Sequence, residues 1–283
     1  MGAGMEILYN IMETVLPFRW IQYDFMKNAL LAILIITPLF GILGTMIVNN
    51  RMAFFSDALG HSALTGIAVG VLFGIADTNI SMIIFAVVFA LLLNKIKRRK
   101  TVSTDTVISV FSSLSTALGL VILSKGGNFA KYSGLLVGDI LSISPNEIFL
   151  LVLVFIVTMI FWVLCFNKLH AISINETLAK SKHIPVSYID NLFVVLIALI
   201  VMLSIKWVGI LIINALLILP AAASRNLAAN MREYHLFSIC ISVFSGLLGL
   251  ILSYYNNTAA GPTIVIVASI IFFLTLSLKP LVK

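Results

Sequence analysis

Residues 54–74 read Phe-Phe-Ser-Asp-Ala-Leu-Gly-His-Ser-Ala-Leu-Thr-Gly-Ile-Ala-Val-Gly-Val-Leu-Phe-Gly. The run is apolar enough to cross a bilayer, yet it carries a carboxylate, Asp57, and an imidazole, His61, four residues apart. On a helix that spacing puts both side chains on one face, with β-carbons about 5–6 Å apart. Thr65 and Ala68 are expected to continue that face. Ser62, Gly66, Gly70 and Gly74 recur every four residues on another face, the pattern of small residues that lets helix backbones touch. One side of the helix is thus expected to pack and the other to line a pathway. A carboxylate near the centre of a membrane helix costs about 2.5–3.5 kcal/mol even on lenient scales, so a partner, a water-filled cavity or a metal must offset it.

Runs of the same kind fill the rest of the chain. Of its 283 residues 61% are hydrophobic and only 10% charged, with a mean hydropathy of +1.14. Soluble domains carry roughly 25% charged residues, so water is not the main solvent. A helical span takes about 20 apolar residues. The runs and their breaks predict spans over 27–49, 52–76, 80–96, 104–124, 147–166, 189–206, 208–228, 235–256 and 261–279. A piece near 132–143 is too short to cross and is expected to be a re-entrant helix. The expectation is an all-α polytopic membrane protein of eight to nine transmembrane helices, forming one domain over 1–283. Cytosolic enzymes, disulfide scaffolds and nucleic-acid-binding domains are excluded. Cys165 and Cys240 lie singly in apolar runs, which argues against a disulfide framework or a thiolate metal cluster. No G-x-x-x-x-G-K-[ST] phosphate loop is present, so the chain is no ATPase by itself.

The net charge of +7 records topology. With Lys95, Lys97, Arg98, Arg99 and Lys100 placed in the cytoplasm, alternating spans also put Arg51, Lys168, Lys180, Lys182, Arg225, Arg232, Lys279 and Lys283 inside. Arg19, Lys27, Lys125, Lys131 and Lys206 fall outside, so thirteen basic residues stand against five and the C-terminus is expected inside. Residues 1–26 lack the pattern of a cleaved signal peptide, and are expected to lie at the interface, anchored by Trp20 and Tyr23.

Asp57 stands apart from the other ten acids, most of which fall in loops or at span ends. On spacing alone the Asp57–His61 pair admits three readings: a buried couple that neutralises itself, a proton relay, or metal ligation. Neutral imidazole with carboxylate suits zinc and manganese. Two ligands do not complete a shell, but two copies of the helix meeting at a homodimer axis would supply four.

The segment Arg51-Met-Ala-Phe-Phe-Ser-Asp57-Ala-Leu-Gly60-His61-Ser62-Ala-Leu-Thr-Gly-Ile-Ala resembles the signature of the permease subunits of ABC-type zinc/manganese/iron importers, roughly Arg-x-x-x-x-x-Asp-Ala-x-Ser-His-Ala. Gly60 and Ser62 stand where the family more often has Ser and Ala. Val208-Gly-Ile-Leu-Ile-Ile-Asn214-Ala-Leu-Leu-Ile-Leu-Pro220-Ala-Ala-Ala is similar to a second, weaker family stretch, and the resemblance runs over nearly the whole chain. It implies a type II ABC importer-like permease in a bacterial cell membrane, with no permanently bound cofactor. A divalent metal ion, zinc or manganese, is then the cargo, and Asp57 and His61 its ligands. The implied partners are cytoplasmic ABC ATPase subunits, an extracytoplasmic metal-binding protein, a second copy of the chain and membrane lipid, with no nucleic acid.

Within the loop 167–188, Ser173-x-x-Glu176 reads as a capping box, and Pro185 marks the far limit of the helix it would open. A short helix over about 174–182 is expected, with Leu178 and Ala179 flanked by Lys180 and Lys182. Alone it reads as an interfacial helix; the resemblance makes it the helix that couples to the ATPase. Asp139 is expected to cap a helix rather than line an outer vestibule, His170 and His183 to be solvated, and His235 to open a span at the inner interface. Asn214 is expected to join helices, and Pro38 and Pro220 to bend theirs by removing a backbone bond. The rival classes are a proton-coupled secondary transporter and an importer of an organic cofactor or siderophore.

Overall fold

A backbone in lipid must satisfy its hydrogen bonds within its own segment, so long apolar runs become helices. The computed structural model of the chain describes residues 2–15, 18–75, 77–98, 103–125 and 129–282, which form helices and turns with no strand among the described residues. In order they are α1 (Gly2–Val15), α2 (Asp24–Asn49), α3 (Phe55–Leu72), α4 (Thr78–Lys97), α5 (Thr104–Lys125), α6 (Phe129–Tyr132), α7 (Pro145–Ile174), α8 (Glu176–Ser181), α9 (Val186–Val208), α10 (Ile210–Leu227), α11 (Met231–Asn256) and α12 (Ala260–Val282). Eight are long and apolar enough to cross a membrane: α2 to α5, α7, α9, α11 and α12. The remaining expected span is α10, whose 18 residues reach about 27 Å. It is a core helix: Ile213, Leu217, Ala221 and Ala223 are fully buried where it meets α2, α3, α11 and α12.

The run expected over 52–76 contracts to Phe55–Leu72. Gly74 has φ +66° and ends α3. The Ile75 amide donates to the Gly70 carbonyl at 2.9 Å and the Gly74 amide to the Val71 carbonyl at 3.3 Å, the paired closure that a left-handed residue after a helix permits. Gly74 therefore closes the helix and is not part of a packing stripe; a β-carbon there would meet nothing within 4 Å.

The piece near 132–143 is not a continuous re-entrant helix. It breaks into α6 and two 3-10 turns, Ser133–Leu136 and Ile140–Ser142, with Ile140 and Ile143 buried in the core. Asp139 accepts from the Leu141 amide at 3.0 Å, and its own amide donates to the Lys206 carbonyl at 3.2 Å. Gly138 (φ +68°) and Gly209 (φ +91°) touch backbone to backbone here, at the kink between α9 and α10. A side chain at either would overlap the other strand of chain.

At the N-terminus, α1 docks on α2 through an ion pair between Glu13 and Lys27 at 2.6 Å and a hydrogen bond from the Tyr9 hydroxyl to Asn28. Trp20 is not an interfacial anchor: it is 4% exposed and belongs to the core, whereas Tyr23 is half-exposed beside Phe25 and Tyr254. Of the basic cluster, Lys95 and Lys97 end α4 and Arg98 pairs with Asp190 at 2.8 Å; Arg99, Lys100 and Lys283 lie outside the described residues.

Candidate metal site between α3 and α5

Helix α3 is enclosed by α4, α5, α9 and α10, and its small residues decide how closely each neighbour approaches. Against α4, a β-carbon on Gly66 would lie 2.8 Å from the Met82 Cα, and one on Gly70 would strike Ser81. The Ser81 hydroxyl donates to the Gly66 carbonyl at 2.5 Å. Against α10, the Ser56 hydroxyl donates to Asn214 Oδ1 at 2.5 Å, so Asn214 joins two helices. Ser62 is buried and bonds its own Leu59 carbonyl at 2.7 Å. Pro220 is buried within α10.

Against α5 the contact is polar. The Thr65 hydroxyl donates to the Ser115 carbonyl, and the Ser115 hydroxyl donates to Thr65 Oγ1 at 3.0 Å. Gly119 admits this approach, since a β-carbon there would lie 2.8 Å from the Thr65 nitrogen. Thr65 and Ala68, expected to continue the Asp57–His61 face, are instead buried. At 3.6 residues per turn Thr65 is turned about 80° from Asp57, whereas Ala68 is turned only about 20° and is covered by the helices packed on α3. Gly119 carried a readable signal, a lone glycine in a long apolar run.

The face left over carries Asp57 and His61. Their side chains are 36% and 27% exposed, and His61 Nε2 lies 3.8 Å from Asp57 Oδ1. That exceeds a hydrogen bond of about 2.9 Å, so the two do not close on each other. Asp57 sits in the first turn of α3 rather than mid-span, where the free amides of a helix N-terminus favour negative charge. Both groups line an open cavity of about 720 Å³ whose far wall is α5: Ser109, Ser112, Ser113 and Thr116 with Asp105 at one end. Among the described residues its charged lining is two carboxylates, with no lysine or arginine. Asp105 was missed in the sequence because it opens a span, where an acid is ordinary; only the packing of α5 on α3 brings it to the same cavity. One chain assembles no group of three or more His, Cys, Asp or Glu side chains fit to hold a metal among the described residues. The pair is at most a partial shell, to be completed by water, hydroxyls or another chain.

The other sequence-derived candidates lie on α7 and α8, where Ser173 and Glu176 share a second cavity with Arg51, Lys97, Arg98 and Thr104. The capping box expected at Ser173 and Glu176 does not form. Ser173 belongs to α7 and donates to the His170 carbonyl at 2.8 Å. Asn175 caps α8, accepting from the amides of Thr177 and Leu178 at 2.9 and 3.1 Å. The extended backbone of Asn175 starts the helix two residues later than the pattern implied. The side chain of Glu176 pairs with Lys180 at 2.7 Å. Leu178 is 54% exposed, whereas Ala179 is buried against its own chain and offers no outer surface. A capping box does occur before α7, where Ser144 donates through both its amide and its hydroxyl to Glu147 at 2.8 Å. His183 is exposed, but His170 is not freely solvated: its Nδ1 is buried and its ring stacks on Phe166.

The geometry can be set beside known proteins. Residues 22–279 match the family model described as the ABC 3 transport family. The chain is 31% identical over 247 residues to the high-affinity zinc uptake system membrane protein ZnuB of Buchnera aphidicola, covering 87% of this chain and 94% of that protein. It is 27% identical over 259 residues to the manganese import system permease protein ScaB of Streptococcus gordonii, covering 92% and 93%. Its fold is similar to PsaBC from Streptococcus pneumoniae, solved in complex with Fab, with a TM-score of 0.78, 27% identity, and coverage of 95% of this chain and 94% of that one. An all-helical, multi-pass membrane chain matched along nearly its whole length, it belongs to the ABC 3 transport family.

Proposed function

We propose that this chain is the membrane permease subunit of an ATP-driven importer of divalent transition-metal ions, zinc or manganese, and that Asp57 and His61 ligate the passing ion. The observation that carries the reading is the open Asp57–His61 pair on a cavity whose charged lining, among the described residues, is negative. Relatives named for zinc uptake and manganese import support the choice of cargo.

Two copies of the chain form the conduit, and two ATPase subunits dock beneath it at α8. An extracytoplasmic metal-binding protein delivers the cation. On the orientation given by the basic residues, the C-terminus is cytoplasmic and α3 starts at the inner face, so the pair lies on the inner half of the route. There Asp57 supplies charge and His61 a neutral nitrogen, replacing water ligands. The incomplete shell suits transit, because a site that binds too tightly does not release its ion. Acidification weakens ligation, since a protonated imidazole has no lone pair to offer. The loop 167–188 then belongs to the same single permease domain as the spans. Two carboxylates on the cavity disfavour a bulky organic cargo, which needs a wide uncharged path.

The test is uptake of radioactive zinc and manganese by cells expressing the intact system, comparing wild type with Asp57→Ala and His61→Ala at matched membrane abundance. Loss of uptake in both supports the site, and unchanged uptake in both rejects it. Uptake that survives ATP depletion but collapses with the proton gradient would instead identify a secondary transporter.

A further inference from the structure

We infer that Asp105 is a second carboxylate station for the transported cation, about one helical turn beyond Asp57 along the helix axes; the inference rests on Asp57 and His61 being the ion's ligands. The register of α3 and α5 places it there. Joined through α4, the two helices run in the same direction and are locked together where Thr65 meets Ser115 and Gly119. Counting back from that lock, Asp57 lies about 12 Å toward the start of α3 and Asp105 about 15–21 Å toward the start of α5, at 1.5 Å per residue. Asp105 is therefore the next charged group along the cavity, on the side of the helix starts.

An acid in the first turn of a helix usually serves the helix. Asp77 and Asp139 do so, accepting from the amides of Asn79 at 2.9 Å and Leu141 at 3.0 Å. Asp105 does not: its carboxylate has no hydrogen-bond or ion-pair partner among the described residues, and it faces the cavity that Asp57 and His61 line. Beside the pair the α5 wall is hydroxyl. Thr116 gives its proton to the Ser112 carbonyl at 2.8 Å, leaving its oxygen as an acceptor toward the space. Ser109 and Ser112 continue the wall on the same side of α5, within the roughly 100° arc their spacing allows. A cation at the pair thus faces hydroxyl oxygens across the cavity, and the next negative charge toward the helix starts is Asp105. A divalent ion needs such a sequence of weak sites, because a single site cannot both capture it and let it go quickly.

The experiment reconstitutes the intact permease with its ATPase and binding protein in proteoliposomes. It measures manganese and zinc uptake, together with metal retained per permease after rapid washing, for wild type, Asp105→Asn, Asp105→Glu and Asp57→Asn. Asp105→Asn is expected to slow uptake about tenfold, the scale of one lost charge-assisted contact, while retained metal stays at or above the wild-type amount. Asp105→Glu restores uptake to within about threefold, since charge and ligand type survive. Wild-type uptake by Asp105→Asn overturns the inference. So does a loss that Asp105→Glu shares, because that marks a structural role. If Asp57→Asn transports like wild type, the underlying site assignment fails, whatever Asp105 does. If Asp57→Asn is inactive and Asp105→Asn is normal, only the second station is lost.

Discussion

Two histidines in apolar helices have opposite surroundings. His61 stands on an open cavity, 3.8 Å from Asp57 and 27% exposed. His235, near the start of α11, is 9% exposed and wrapped by Trp162, Phe166 and Tyr234. Its Nδ1 lies 2.6 Å from the Thr45 hydroxyl, whose proton is taken by the Ile42 carbonyl at 2.6 Å. The imidazole therefore donates to Thr45, tying α11 to α2. Its other nitrogen is buried and unmatched among the described residues. One ring is held away from solvent to join helices; the other is held in the open with a nitrogen to spare. The difference lies in what packs around each ring, since both are His in long apolar runs.

Substitution should separate the two. His61→Ala is expected to lower metal uptake on the order of hundredfold, the scale of a lost ligand, with no fall in thermal unfolding temperature of the purified permease. If stability falls in step with uptake, His61 is structural and the contrast disappears. His235→Ala should do the reverse: it removes a buried ring and the Thr45 bond, costing about 2–4 kcal/mol, while uptake per folded molecule is retained. Thermal unfolding in detergent alongside uptake normalised to folded protein reads both. A His235→Ala permease as stable as wild type would show that the aromatic enclosure does little.

A smaller effect probes the wall that keeps the His61 side aligned. Gly119→Ala pushes a methyl group toward the Thr65 amide, 2.8 Å away, and should cost about 1–3 kcal/mol as an overpacked contact. Because backbone rather than a flexible side chain is struck, α5 must shift, and uptake should fall with stability. A Gly119→Ala permease as stable and active as the parent would mean the α3–α5 contact is looser than its hydrogen bonds suggest. The smallest effect is at Gly74, where space is free but φ is +66°. Gly74→Ala should cost about 1 kcal/mol through backbone strain alone, with uptake unchanged.

Much of this architecture is legible along the chain. All nine apolar runs became helices, because lipid leaves a long apolar backbone no other way to satisfy its amides. Their limits fall within a few residues of those expected except at α7, which runs on to Ile174. Gly66 and Gly70 were readable by their spacing, as were Asp57 and His61. The errors cluster where local chemistry is degenerate. Ser173-x-x-Glu176 and Ser144-x-x-Glu147 are the same pattern, yet only the second acts, because α7 continues through Ser173 and Asn175 takes the cap. Gly74 fits a four-residue repeat but serves a turn, and Trp20 looks like an interface anchor but is folded into the core.

What the order of residues settles is which nine apolar runs become helices and the placing of one acid and one imidazole on a shared face. These follow from periodicity and solvent, which act over a few residues. That the face opens on a cavity, that Asp105 joins it while Thr65 turns away, and that His61 is left bare while His235 is enclosed all depend on how α3, α5, α7 and α11 pack. Those contacts join residues tens to hundreds of positions apart, and a one-dimensional pattern carries no record of which neighbour fills which side of a helix.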